Sequence, residues 1–82
     1  MTESMFLVLL VEDDAGLRGV LSTLLRSQGC RIAEAETGAR GVIEARTHRP
    51  DLAIVDLGLP DRDGLTVIRE VREFSAMPIL VL

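Results

Sequence analysis

Lysine is absent from this sequence of 82 residues, so all nine basic side chains are Arg, and they are scattered singly from Arg18 to Arg72. Dispersed guanidinium groups in a chain of net charge -4 argue against direct nucleic-acid binding, which needs cations clustered on one face. Cysteine occurs once, as Cys30, so an internal disulfide framework is excluded and a reducing compartment is the natural setting. Long apolar runs are missing as well. None approaches the roughly 18 residues that a membrane helix needs. The opening Met1-Thr2-Glu3-Ser4 carries an acid where a secretory signal would carry bases, so a cytoplasmic chain with no membrane partner is expected. Repeats, low-complexity tracts and linkers are absent too. One small domain is the ceiling, and a chain of this size buries only about 60% of the surface its unfolded form exposes, which leaves a thin stability margin.

What is present is an alternation of two periodicities. Phe6 to Val11 is an unbroken apolar run of strand length that stops at Glu12-Asp13-Asp14, as a parallel strand buried on both faces would. From Asp14, a good N-cap, Leu17, Val20, Leu21, Leu24 and Leu25 recur at helical spacing, and Gly29 closes the segment. Arg31 to Glu36 is a weaker strand. Thr37-Gly38 opens a second helix carrying Ala39, Val42, Ile43 and Arg46, with Pro50 marking its end. Leu52 to Val55 is again a continuous apolar run ending in a carboxylate, Asp56. A turn-rich loop with Gly58, Pro60 and Gly64 leads into a third helix through Leu65, Ile68, Val71 and Arg72, and Ile79 to Leu82 reads as a fourth strand. The order β-α-β-α-β-α-β calls for a parallel sheet with crossover helices.

In open parallel sheets, ligands bind beyond the carboxyl ends of the strands. Glu12 and Asp13 follow the first strand and Asp56 the third, so if those strands are neighbours, three carboxylates share one crevice. Like charges about 5 Å apart repel by roughly 3 kcal/mol at an effective dielectric near 20, and a hard divalent cation relieves them. Mg²⁺ takes oxygen ligands and leaves coordination positions for phosphate. Acids at strand ends also serve as helix caps and solvated loop residues, and capping is the preferred role for Asp14. Two apolar runs each ending in acid, the second followed by a Pro/Gly loop, favour the functional reading.

Val11-Glu12-Asp13-Asp14 after the first strand, together with Asp56-Leu57-Gly58-Leu59-Pro60-Asp61-Arg62-Asp63-Gly64 after the third, resembles the CheY-like receiver domain of two-component response regulators. The residues around Leu57-Gly58-Leu59-Pro60 and the stretch from Arg72 to Pro78 are similar to the OmpR/PhoB group, in its potassium-transport branch. The resemblance runs along essentially the whole chain. It implies a flavodoxin-like doubly wound parallel sheet of order 2-1-3-4. It makes Asp56 the phosphoacceptor, receiving phosphate from a sensor histidine kinase. Asp13 becomes a direct Mg²⁺ ligand, Glu12 one acting through water, and Gly58 a ligand through its backbone carbonyl. Pro60, which restricts Leu59, and Gly64, which admits a close approach, shape the loop.

The resemblance also implies a Ser or Thr hydroxyl just beyond the fourth strand and a Lys beyond the fifth, both contacting the phosphoryl oxygens. Neither lies within these residues. The expectation is therefore residues 1–82 as the N-terminal portion of a receiver domain, an incomplete (βα)5 fold ending before strand five, with weak Mg²⁺ binding, slow or undetectable phosphorylation and no switching. The fourth strand would form an open sheet edge, so association as a homodimer or swapped oligomer, or partial disorder, is expected. In the complete protein the domain would control a transcription-regulating, DNA-binding output domain. One alternative is a module that binds a kinase or another receiver without phosphorylation; a second is an Mg²⁺-dependent phosphohydrolase using Asp56. The remaining residues have bland readings. His48 near the end of a polar helix faces water or the helix dipole, Cys30 packs as a small apolar residue, Asp63 caps the third helix, and Leu17-Leu21-Leu24 belongs to the core, being too short for a zipper.

Overall fold

The computed structural model describes residues 6–82, so the Met1-to-Ser4 segment weighed above as a signal lies outside the described residues. The chain runs β1 (Leu7–Val11), α1 (Ala15–Ser27), β2 (Arg31–Ala35), α2 (Gly38–His48), β3 (Leu52–Val55), α3 (Gly64–Arg72) and β4 (Ile79–Val81). The four strands are all parallel and lie in the order β2-β1-β3-β4, the flavodoxin-like arrangement expected from the sequence.

Alternation along the strands sends side chains to two separate cores. Leu9, Val11, Ala53 and Val55 pack under α2 and α3 with Ala45, Val67 and Val71. Val8, Leu10 and Ile54 face α1, against Leu21 and Leu25. All five residues of β1 are buried, because that strand is central and covered on both faces. Phe6, read as the first strand residue, lies before β1 and is exposed.

The helices begin and end where capping chemistry allows. Asp14 Oδ1 accepts from Leu17 N at 3.1 Å, and Gly29 closes α1 with a φ of 90°, a conformation that costs a side-chain-bearing residue free energy. Thr37 Oγ1 accepts from Arg40 N at 3.1 Å to open α2, and Asp63 Oδ1 accepts from Leu65 N at 2.7 Å to open α3. The close seating of α2 on β1 needs Gly41, where a Cβ would come within 2.8 Å of Val11.

Three helix faces differ from the sequence expectation. In α1, Leu17 and Leu24 are exposed, at 43% and 58%, and only Leu21 of the expected stripe turns toward the sheet. The cause is the unequal division of helices: among the described residues two cover one face of the sheet, while α1 is the one helix on the other and no second helix buries its flank. In α3 the buried positions are Gly64, Val67 and Val71, whereas Leu65 is exposed. In α2 the sheet-facing residues are small, Gly41 and Ala45, and Ile43 is exposed. Among the described residues β4 pairs with β3 alone, and Leu80 and Val81 on that outer strand and Leu82 just after it are each about half exposed.

Candidate functional site

The site is created by the adjacency of β1 and β3. Their register pairs Val11 with Val55, so the next residue on each strand, Glu12 and Asp56, emerges side by side at the carboxyl end of the sheet. Backbone hydrogen bonds carry the ladder one residue further: Asp56 N donates to Val11 O at 3.0 Å, and Glu12 N to Ala35 O at 3.0 Å. One carboxylate oxygen from each of Glu12, Asp13 and Asp56 lies within 4.8 Å of the other two. Glu12 is buried, Asp56 half-buried and Asp13 exposed, so the cluster grades from the sheet interior to solvent.

The electrostatics follow from that gradient. Burial pushes the Glu12 carboxyl above its usual range; the Asp14 backbone N–H, 3.1 Å from Oε2, opposes the shift, and the neighbouring Asp56 charge adds to it. Three carboxylates with hard oxygen donors, one side open to water, form a donor set suited to a hard divalent cation.

The loop after Asp56 is held at several points. Gly58 N donates to Asp56 Oδ1 at 3.1 Å, which orients the carboxylate. A Cβ on Gly58 would make only an ordinary 3.8 Å contact with that oxygen, so sterics do not explain the glycine. Gly64 is different: a Cβ there would sit 2.7 Å from both the Asp56 carbonyl oxygen and Leu57 Cα, and the Gly64 N–H donates to Leu57 O at 3.1 Å. A close backbone approach is therefore the reason for this glycine, as the sequence suggested. Leu59, just before Pro60, is buried and anchors the loop in the core.

Two supporting residues escape sequence reasoning. Arg18 Nη1 donates to the Glu12 carbonyl at 2.8 Å while its Nε bonds Glu34 Oε1 at 3.1 Å, so it ties the turn bearing Glu12 and Asp13 to β2. Asp61 accepts from Gly38 N at 2.7 Å and Ala39 N at 2.9 Å, and these N–H groups, Ala39 foremost, hold its carboxyl below the usual range. Asp61 thus caps α2, a helix that begins 23 residues earlier, and no local pattern could announce that. Exposed His48 lies with Nε2 3.1 Å from Oε1 of the largely covered Glu44 on α2, and Cys30 packs against the α1 core.

The sequence profile described as the response regulator receiver domain matches residues 8–82. The chain belongs to that receiver-domain family. It is 53% identical over 75 residues to the KDP operon transcriptional regulatory protein KdpE of Escherichia coli K12, an alignment covering 92% of this chain and 33% of that protein. It is 46% identical over 79 residues to the virulence transcriptional regulatory protein PhoP of Salmonella typhimurium, covering 95% and 35%. Both place this receiver in the OmpR/PhoB group. Among solved structures it matches a chain from the complex of histidine kinase ThkA with response regulator protein TrrA, at 29% identity and a TM-score of 0.87, covering 94% of this chain and 67% of that one. The chain spans about a third of the length of these curated relatives. Receiver domains are regulatory rather than catalytic modules, and the family generally uses Mg²⁺ at an acidic site. No helix among the described residues is long and apolar enough to cross a membrane.

Proposed function

We propose that this receiver accepts a phosphoryl group on Asp56 from the phosphohistidine of a sensor histidine kinase, in the cytoplasm, to control a transcription-regulating output domain. The observation that carries the reading is the convergence of Glu12, Asp13 and Asp56 within 4.8 Å at the carboxyl end of adjacent central strands. A kinase partner is supported by the likeness to a chain crystallised in a kinase and response-regulator complex, and the output by the names of the two transcriptional regulators.

In the transfer, an Asp56 carboxylate oxygen attacks phosphorus, an O–P bond forms, and the P–N bond of a phosphohistidine protonated on its other ring nitrogen breaks, so that the electron pair returns to the ring and neutral imidazole leaves. Gly58 N–H fixes the direction of the Asp56 carboxylate through Oδ1. Glu12, Asp13 and Asp56 would hold Mg²⁺, with the Gly58 carbonyl as a further ligand and Glu12 acting through water. When bound, the ion neutralises charge on the transferring group. The hydroxyl and Lys implied by the family resemblance are not among these residues. Each such donor is worth about 3 kcal/mol of transition-state stabilisation, so a chain that carries both should phosphorylate faster than residues 1–82 alone.

Acetyl phosphate labelling with Mg²⁺ tests the reading. Slow incorporation that disappears with chelator and in Asp56→Asn is the expected result, with faster labelling of a longer chain carrying the hydroxyl and Lys. Equal incorporation into Asp56→Asn, or none into the longer chain, overturns it. A kinase pull-down indifferent to Asp56→Asn, with no labelling, would favour the phosphorylation-independent interaction module instead.

A further inference from the structure

We infer that Asp61 is a positioning residue for the acidic site: by strapping the loop after β3 to the N-terminus of α2, it holds Gly58 where its N–H can orient Asp56. The inference rests on the phosphoacceptor reading for its consequence, but its geometry stands on observed contacts.

The first turn of a helix presents N–H groups without intrahelical partners. In α2 the donors of Gly38, Ala39 and Arg40 are all satisfied, and only the last by a neighbour in sequence, Thr37 Oγ1. The first two are taken by the two oxygens of one carboxylate, Asp61, from the loop that begins at Asp56. Arg62 reinforces the join. Its aliphatic stem lies where a Cβ on Gly38 would clash, and its guanidinium pairs with Glu70 of α3 and, at 3.4 Å, with Asp61. The loop is thus fixed at its far end to two helices, while its near end carries Gly58 against Asp56 Oδ1 at 3.1 Å. Outside this strap and the buried Leu59, residues 57–61 are exposed. Releasing Asp61 would leave the segment bearing Gly58 held by buried Leu59 and by the Gly64 N–H on Leu57 O, with both of its hydrogen bonds to α2 gone.

A capping role by itself predicts something different: that Asp61 matters only to α2. The experiment therefore compares Asp61→Ala with Thr37→Ala, which loosens the same helix end without touching the loop. Backbone amide exchange in the metal-free protein, followed by NMR, should show the Gly58 amide exchanging about tenfold faster in Asp61→Ala and unchanged in Thr37→Ala. Calorimetric titration with Mg²⁺ alone should show affinity about tenfold weaker in Asp61→Ala only, as for other residues that orient ligands. Asp61→Asn, which keeps one acceptor oxygen, should fall between. Equal Gly58 exchange in wild type and Asp61→Ala, or equal acceleration in both alanine variants, overturns the inference. If the exchange difference holds but wild type itself binds no Mg²⁺, the phosphoacceptor reading falls while the loop strap stands.

Discussion

Replacing Asp56 by Asn should make the metal-free receiver more stable and, at the same time, remove its response to Mg²⁺. One carboxylate oxygen from each of Glu12, Asp13 and Asp56 lies within 4.8 Å of the other two, and at that distance a pair of like charges repels by about 3.5 kcal/mol at an effective dielectric of 20 and about 0.9 kcal/mol in bulk water. Asp13 is exposed and Asp56 half-buried, so their pair lies toward the lower limit, while the pair with buried Glu12 lies higher. Protonation of Glu12, favoured by its burial, relieves part of the strain. A net gain of about 1–3 kcal/mol is expected for Asp56→Asn in chelator, which for a domain of this size raises Tm by at least about 4 °C. The Asn side-chain oxygen can still accept from Gly58 N, so the gain is not offset by a lost hydrogen bond. Mg²⁺ at a hundred times its Kd should stabilise wild type by about 2.7 kcal/mol and the variant far less. Thermal melts monitored by far-UV circular dichroism, with and without metal, give both quantities. A lower Tm for Asp56→Asn in chelator, or the same Mg²⁺ increment in both proteins, would refute the argument that repulsion at this site is what the cation relieves.

Other expectations follow from the same contacts. Because the folded state holds the Glu12 proton more tightly than the unfolded chain, its contribution is fully present below the ordinary Glu value and is lost as pH rises through the raised folded one; metal-free Glu12→Gln should show no such decline in a pH series of urea melts. Asp61 has the opposite sign: its depressed pKa gives stability above the ordinary Asp value that vanishes as pH falls through the folded one, so the deficit of Asp61→Asn should close in acid. Gly64→Ala should cost about 3 kcal/mol or more, since its Cβ meets backbone at 2.7 Å, and chemical denaturation should rank it well above Gly41→Ala, where the obstacle is the Val11 side chain. Exposure of Leu17, Val20 and Leu24 on α1 and of Leu80 and Leu82 at the sheet edge should make the chain associate with rising concentration. Sedimentation velocity should show Leu24→Arg with Leu80→Arg shifting it toward monomer; a wild type that stays monomeric throughout would remove that expectation.

The order of elements is legible in the chain itself, because β1, β3 and β4 are continuous apolar runs, β2 is a shorter apolar stretch broken by Glu34, and each helix starts at a side chain able to accept an N–H of its first turn: Asp14, Thr37 and Asp63. The chain also puts an acid at the end of each central strand. That those ends meet, through the Val11 and Val55 register, depends on the folded sheet, because strand adjacency is a property of pairing across 44 residues and not of local pattern. The helical periodicity of α1 was legible, yet which of its leucines lie buried was not, since burial depends on what else covers that face of the sheet. Asp61 shows the same limit most sharply: its carboxylate reads as a loop acid in sequence, and its partners are amides of a helix that only folding brings beside it.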